Sequence, residues 1–254
     1  MEQLEGKISV EAALTMRQRK ISIIIIRSGM HAAILQPIVE AAETQSIPIK
    51  YVSRQEIDAM AHGKTHGGII ALAAAKPPLA IDSLLDALKT RSTPSALLLL
   101  EGIDDAQNFG FTLRSAEALG IDAVLLKKHV WDFDGAAISR ASSGAFERMP
   151  CALLDQSEKI LPKFKSIGFQ IIGCIANAKR AMYEADLTQP VIIAIGGEKR
   201  GLSAAVRSQC NTFIKIPMKS ATGSLSLSHS ASIIMAELMR QRFGAEKLPP
   251  AIVP

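Results

Sequence analysis

The tightest constraint on this chain is a set of short apolar runs that carry no charge. Ile23–Ile26, Ala96–Leu100 and Val191–Ile195 are built almost wholly from Leu, Ile, Val and Ala. They are far shorter than the ~20 residues that cross a bilayer. They also lack the in–out alternation of a strand with one wet face. Runs of this kind suit strands buried on both faces of a parallel sheet. In such sheets ligands bind just beyond the carboxyl ends of the strands. The residues that follow each run are therefore the first candidates for chemistry.

Two of those loops stand out. Val191–Ile195 ends in Gly196-Gly197-Glu198-Lys199-Arg200-Gly201, and the short strand Thr212–Ile216 runs through Pro217-Met218 into a Gly/Ser-rich stretch from Lys219 to Ser228. Gly196 and Gly201 have P-loop spacing, but Leu202-Ser203 follows where that motif needs Lys and then Ser or Thr. No G-x-G-x-x-G fingerprint occurs there. A nucleotide-phosphate cradle is disfavoured by its missing residues. What remains is exposed backbone suited to a polar, weakly charged ligand.

The rest of the chain alternates strands and helices. Val10–Arg17 reads as a helix, Ile21–Ile26 as a strand, Met30–Thr44 as a helix, Ile49–Val52 as a strand, Arg54–Ala61 as a helix and Ile69–Leu72 as a strand. Pro77-Pro78 breaks the pattern and marks a boundary. Ile81–Lys89 is an amphipathic helix in pattern. After it come strands at Ala96–Leu100, Ala123–Leu126, Cys151–Leu154 and Phe169–Cys174, with helices at Asn108–Leu119, Gly135–Arg140, Leu202–Gln209 and Ser228–Phe243. Gly120 is a natural stop for the Asn108 helix. The alternation predicts a parallel sheet covered by helices on both faces.

Composition narrows the class. At 254 residues, 48% hydrophobic but only 4% aromatic, the chain can build a sizeable aliphatic core. A net charge of +5 permits a polyanionic partner without requiring one. Arg17, Arg19, Lys20 and Arg27, and again Lys127-Lys128, each read singly as solvated surface. Cys151, Cys174 and Cys210 are odd in number and scattered in apolar surroundings, without disulfide or zinc spacing, and read as reduced, buried thiols in a cytoplasmic protein. His62 and His66 are four apart, but the glycines around them argue for a turn, and no metal is expected.

Three motifs in order now gain meaning together. Asn108-Phe109-Gly110-Phe111-Thr112-Leu113-Arg114 fits N-x-G-x-x-x-R. Gly196 to Leu202 fits G-x-E-x-x-G-L. Ile216-Pro217-Met218, followed by Ser224-Leu225-Ser226-Leu227-Ser228, fits I-P-M…S-L-N-V-S. With that spacing, Pro94 to Arg240 resembles the SpoU (TrmH-like) family of ribose 2′-O-methyltransferases in the SPOUT superfamily. Thr65 to Ala71 resembles the close of the L30e-like substrate-binding domain that precedes many of them. The chain departs at Ser226, where the family carries Asn, and a hydroxyl lacks the amide's second donor and its reach.

The resemblance implies an L30e-like α/β domain over residues 1–76, a linker over 77–93, and over 94–245 a parallel-sheet domain closed by a trefoil knot. It implies methyl transfer from S-adenosylmethionine to a ribose 2′-hydroxyl, with ribosomal RNA of 23S type favoured over transfer RNA, by a homodimer whose site lies near its interface. Gly196, Gly197, Gly201, Ile216, Met218 and Leu225 would hold the cofactor. Arg114 would orient the nucleophile, while Asn108, Glu198 and Ser224 order the site, with Glu198 an alternative proton acceptor. A non-catalytic RNA-binding protein that keeps the knot is the competing reading of Ser226.

Overall fold

The computed structural model describes residues 1–62, 66–219 and 225–243. The chain groups into two compact units. One holds Met1–Pro77 with Phe109–Arg114 and Phe133–Met149, and the other holds the remainder.

In chain order the first unit begins with β1 (Glu2–Glu5), α1 (Lys7–Met16), β2 (Ile21–Arg27), α2 (Ala32–Thr44), β3 (Ile49–Val52), α3 (Arg54–Met60) and β4 (Ile69–Ala73). Its sheet order is β1-β4-β2-β3. Here the sequence expectation of parallel pairing needs correction. β2 and β3 are parallel, but β4 runs against both β1 and β2. α3 ends at Met60, well short of β4, so the last connection is not a full helical crossover, and the turn at Gly67-Gly68 sends the chain back. The core joins Ile24, Ile26, Ile69 and Ala71 of the sheet to Leu14 of α1 and Ile38 of α2. Ser53 caps α3 reciprocally with Glu56.

Arg19 is a second correction. It is only 7% exposed, and its Nε and Nη2 donate to the Glu147 carboxylate while Nη1 donates to Glu2. Lys76 is buried as well, donating to the Met149 carbonyl at 2.9 Å. Both cations lie over the Phe146 ring. A charge surrounded by apolar side chains persists only when paired and hydrogen-bonded, which a local run of basic residues does not reveal.

The second unit contributes α4 (Ile81–Lys89), β5 (Ala96–Leu100), α5 (Ala106–Ala118) in part, β6 (Ala123–Leu126) and α6 (Lys128–Trp131). Helices α7 (Gly135–Ser142) and α8 (Ala145–Arg148) fall in the first unit. The second resumes with β7 (Cys151–Leu153), α9 (Ser157–Ser166), β8 (Gln170–Cys174), β9 (Arg180–Ala181), β10 (Val191–Ile195), α10 (Ala204–Arg207), β11 (Thr212–Lys215) and α11 (Leu227–Phe243). Its seven strands lie in the order β7-β6-β5-β10-β8-β11-β9, and every pairing is parallel.

β10 is central, paired with β5 on one side and β8 on the other, and every residue of β10 is buried. The apolar runs are continuous because both faces are covered. On one face Leu97, Leu99, Leu125, Ile171 and Ile192 meet Leu84, Leu85 and Leu88 of α4 and Leu161 and Phe164 of α9. Each such side chain contributes about 1.5–3 kcal/mol of burial. α11 lies against β10, with Ile234, Met235 and Leu238 fully buried.

Candidate active site

The glycine loop after β10 is fixed by contacts that exclude side chains. Gly201 N–H donates to the Gly197 carbonyl at 2.8 Å, closing the turn. A Cβ at Gly196 would lie 2.1 Å from the Gly201 carbonyl carbon and 2.3 Å from the Leu202 nitrogen. Gly201 itself sits at φ 61°, where an L side chain is strained. Just beyond, Ser203 caps α10, accepting from the Val206 N–H.

The end of β5 holds that cap in place. The Glu101 carboxylate accepts the Ser203 N–H at 2.8 Å and its hydroxyl at 2.9 Å. Lys127 approaches the same carboxylate at 3.3 Å and donates to the Ser157 hydroxyl. Glu101 is only 6% exposed, so its charge is buried but amply satisfied.

A cavity of about 310 Å³ opens where the carboxyl ends of β10, β8 and β11 meet. Its wall includes Gly196, Gly197, Glu198 and Gly201 from the glycine loop, Ile216 and Met218 after β11, and Leu225 before α11. All six residues expected around a cofactor thus line one space, drawn together because β10, β8 and β11 are neighbours in the sheet. Its volume lies within the ~300–1,000 Å³ range of small-molecule sites.

The residues expected to act on the nucleophile are arranged differently. Glu198 lines the cavity, and its carboxylate accepts the Leu227 N–H at the start of α11 at 3.3 Å. Its neighbour Lys199 pairs instead with Asp104, at 3.7 Å. Asn108 is outside the lining. Its backbone and side-chain N–H groups both donate to Asp105, the cap of α5, and its carbonyl oxygen accepts from the Ser228 hydroxyl at 3.4 Å. Arg114, six residues further along α5, is also outside the lining. It is exposed, and no ion pair or hydrogen bond joins it to another described residue. Ser224 lies outside the described residues.

Ser226, the departure from the motif, has a visible role. Its carbonyl accepts the Ser230 N–H at 2.9 Å. Its hydroxyl accepts the His229 N–H at 3.4 Å and meets His229 Nδ1 at 2.5 Å. The hydroxyl therefore acts as an N-cap for α11, the work a short polar side chain does best there.

Sequence reasoning missed one wall. Cys174, which ends β8, and Ile175, Ala176 and Asn177, which follow it, border the cavity, as do Arg207 and Lys215. The signal was available, because β8 is itself a buried strand whose carboxyl end must open onto the same edge. Burial pushes the Cys174 thiol far up, and the neighbouring Cys210 adds to it. Burial likewise raises Cys210, to about 11. The cavity wall thus carries a neutral thiol. Among the described residues, no three His, Cys, Asp or Glu side chains are grouped to hold a metal.

Residues 95–236 match the SpoU rRNA Methylase family, and residues 3–79 match the family of RNA 2′-O ribose methyltransferase substrate-binding domains. The 23S rRNA (guanosine-2′-O-)-methyltransferase RlmB of Vibrio parahaemolyticus is 30% identical over 95% of this chain and 97% of its own. The putative TrmH family tRNA/rRNA methyltransferase YacO of Bacillus subtilis is 30% identical, covering 82% and 83% respectively. Among solved structures, an RNA 2′-O ribose methyltransferase superposes with a TM-score of 0.74 at 26% identity, over 94% of this chain and 88% of that one.

Proposed function

The chain belongs to the SpoU rRNA methylase family, and from that premise we propose that it methylates a ribose 2′-hydroxyl of RNA with S-adenosylmethionine, its target being 23S-type ribosomal RNA. The observation that carries this reading is the convergence of Gly196, Gly197, Gly201, Ile216, Met218 and Leu225 on one cavity. The fit is chemical as well as spatial. The absence of a Cβ at Gly196 lets the Gly201–Leu202 backbone close against it and fixes the loop that edges the cavity, and the flanking Ile216, Met218 and Leu225 supply apolar contact.

The bound cofactor supplies an electrophilic methyl group on sulfonium. The protein's work is alignment and removal of the hydroxyl proton. We assign Arg114 to hydrogen-bond the acceptor's phosphate and 2′-oxygen, since a guanidinium stays protonated and orients charge better than it accepts protons. Asn108 and Ser224 order the site. Glu198, at the cavity wall, orders the site with them and is the alternative acceptor of the proton. The Cys174 thiol, held neutral by burial, does not compete as a nucleophile.

The same reading gives residues 1–76 to gripping RNA, 77–93 to a linker and 94–245 to catalysis. It pairs two copies in a homodimer, whose second surface would meet the exposed Arg114. It threads the chain after the glycine loop into a trefoil knot and places the reaction in the cytoplasm. Among the described residues no helix is long and apolar enough to cross a membrane.

The test is transfer of labelled methyl from S-adenosylmethionine to transcripts of 23S rRNA and of tRNA, with the product ribose mapped. Methylated 23S rRNA is the expected result. Methylated tRNA alone would reassign the substrate. RNA binding with neither cofactor binding nor transfer would leave a non-catalytic RNA-binding protein.

A further inference from the structure

A second cavity, of about 460 Å³, adjoins the first through Gly197 and Gly201. It lies at the carboxyl ends of β5, β6 and β10, which are adjacent in the sheet. Its charged walls are Glu101 and Asp104 after β5, Lys127 and His129 around the end of β6, and Lys199 and Arg200 of the glycine loop. The family motifs assign no role to Lys127, His129 or Arg200.

The acids in this cavity are already engaged. Glu101 is taken by Ser203 and Lys127, and Asp104 by Lys199. No hydrogen bond or ion pair joins Arg200 or His129 to another described residue. Lys127, Lys199 and Arg200 outnumber Glu101 and Asp104, so the lining carries excess positive charge even with His129 neutral. Unused donors in a concave, cationic space suit an anion, and the guanidinium fork matches phosphate oxygens two at a time.

We propose that this cavity binds a backbone phosphate of the RNA strand next to the acceptor ribose, with Arg200 and His129 as its donors. The proposal rests on the methyl-transfer reading and specifies where the acceptor strand runs: across the carboxyl ends of β5 and β6, beside the cofactor cavity. The glycine loop then serves both ligands, its Gly197 and Gly201 facing each.

The experiment compares the full chain with the H129N/R200S variant. Binding of a fluorescent 23S rRNA fragment is followed by anisotropy from about 50 to about 200 mM salt. Each lost phosphate contact should lower the slope of log affinity against log salt by about 0.7 for single-stranded RNA, while S-adenosylmethionine binding by calorimetry stays unchanged. An unaltered slope overturns the proposal. Weaker RNA binding at an unaltered slope also overturns it, assigning the cavity to a base or ribose. Should the double variant lose the cofactor, H129N alone, off the glycine loop, decides by RNA affinity at fixed salt: weaker binding supports the proposal and unchanged binding overturns it. A wild-type chain that methylates no RNA would instead refute the functional reading itself, whatever the slopes.

Discussion

Glu101 and Ser203 are joined twice, the carboxylate at the end of β5 taking both the backbone N–H and the hydroxyl of the residue that caps α10. The glycine loop runs between β10 and that cap. Its far end is therefore anchored to a neighbouring strand and does not hang from its own.

Replacing Glu101 by Ala removes this anchor and leaves the Ser203 donors and the Lys127 charge without their partner. Hydrogen bonds to a charged group are worth about 1.5–3 kcal/mol, so E101A should lower the melting temperature by several degrees. It should also weaken S-adenosylmethionine binding. Thermal unfolding and calorimetry measure the two, and a variant as stable as wild type would show that the anchor carries no load.

Gly196→Ala tests the loop itself. The added methyl meets backbone atoms of Gly201 and Leu202, not a yielding side chain, so the turn must open. Cofactor affinity should fall at least about tenfold, or about 1.4 kcal/mol, with far-ultraviolet circular dichroism unchanged. Retained affinity would mean that the ligand does not need this turn.

Arg114→Ala separates chemistry from binding. The side chain is exposed and outside the cavity lining, so cofactor affinity and stability should match wild type while methyl transfer is lost. Single-turnover assays with labelled cofactor give the answer, and a fully active variant would remove Arg114 from the mechanism.

The Arg19–Glu147 pair governs the first unit. Breaking a buried pair from one side costs about 3–5 kcal/mol, so R19M should unfold that unit far more readily. R19M/E147L, which removes both charges, should recover much of the loss. Denaturant titration of the single and double variants reads the coupling.

Acid should weaken the same unit through Glu5. Burial raises this carboxyl, but hydrogen bonds from His62 and Gln3 and the nearby Arg140 outweigh it and hold the pKa below its ordinary 4.5. A depressed carboxyl contributes stability above its unfolded pKa and loses it as pH falls through the folded one. Stability should therefore decline below pH 4.5, and E5Q should flatten that limb. An identical acid limb in E5Q would assign the loss to other groups.

How much was legible depended on how local the cause was. Val191–Ile195 and Ile81–Lys89 could be read because their burial pattern is written within a few residues. That Gly196, Gly197, Gly201, Ile216, Met218 and Leu225 belong together was legible through short motifs, and they line one cavity. β1 was not. Glu2–Glu5 looks like a polar terminus, and becomes a strand because β4 pairs with it and distant cations neutralise its acids. Arg19 was misread for the same reason, since its partner Glu147 is remote in sequence. The apolar run ending at Cys174 was visible, but that Cys174–Asn177 border the same cavity as the glycine loop rests on the sheet order, which no window of sequence holds.

That order has a bearing on how the molecule is made. Among the described strands, β10 is the one that joins the β7-β6-β5 half of the large sheet to the β8-β11-β9 half, and it follows β5, β6, β7 and β8 along the chain. Until it slots in, β5 and β8 present open flanks and the glycine turn has no frame. The frame of the glycine turn is thus complete only when β10 pairs on both sides, and a chain cut short before Val191 would keep β7-β6-β5 but lack both β10 and β11, leaving β8 and β9 without the strands that join them to the sheet.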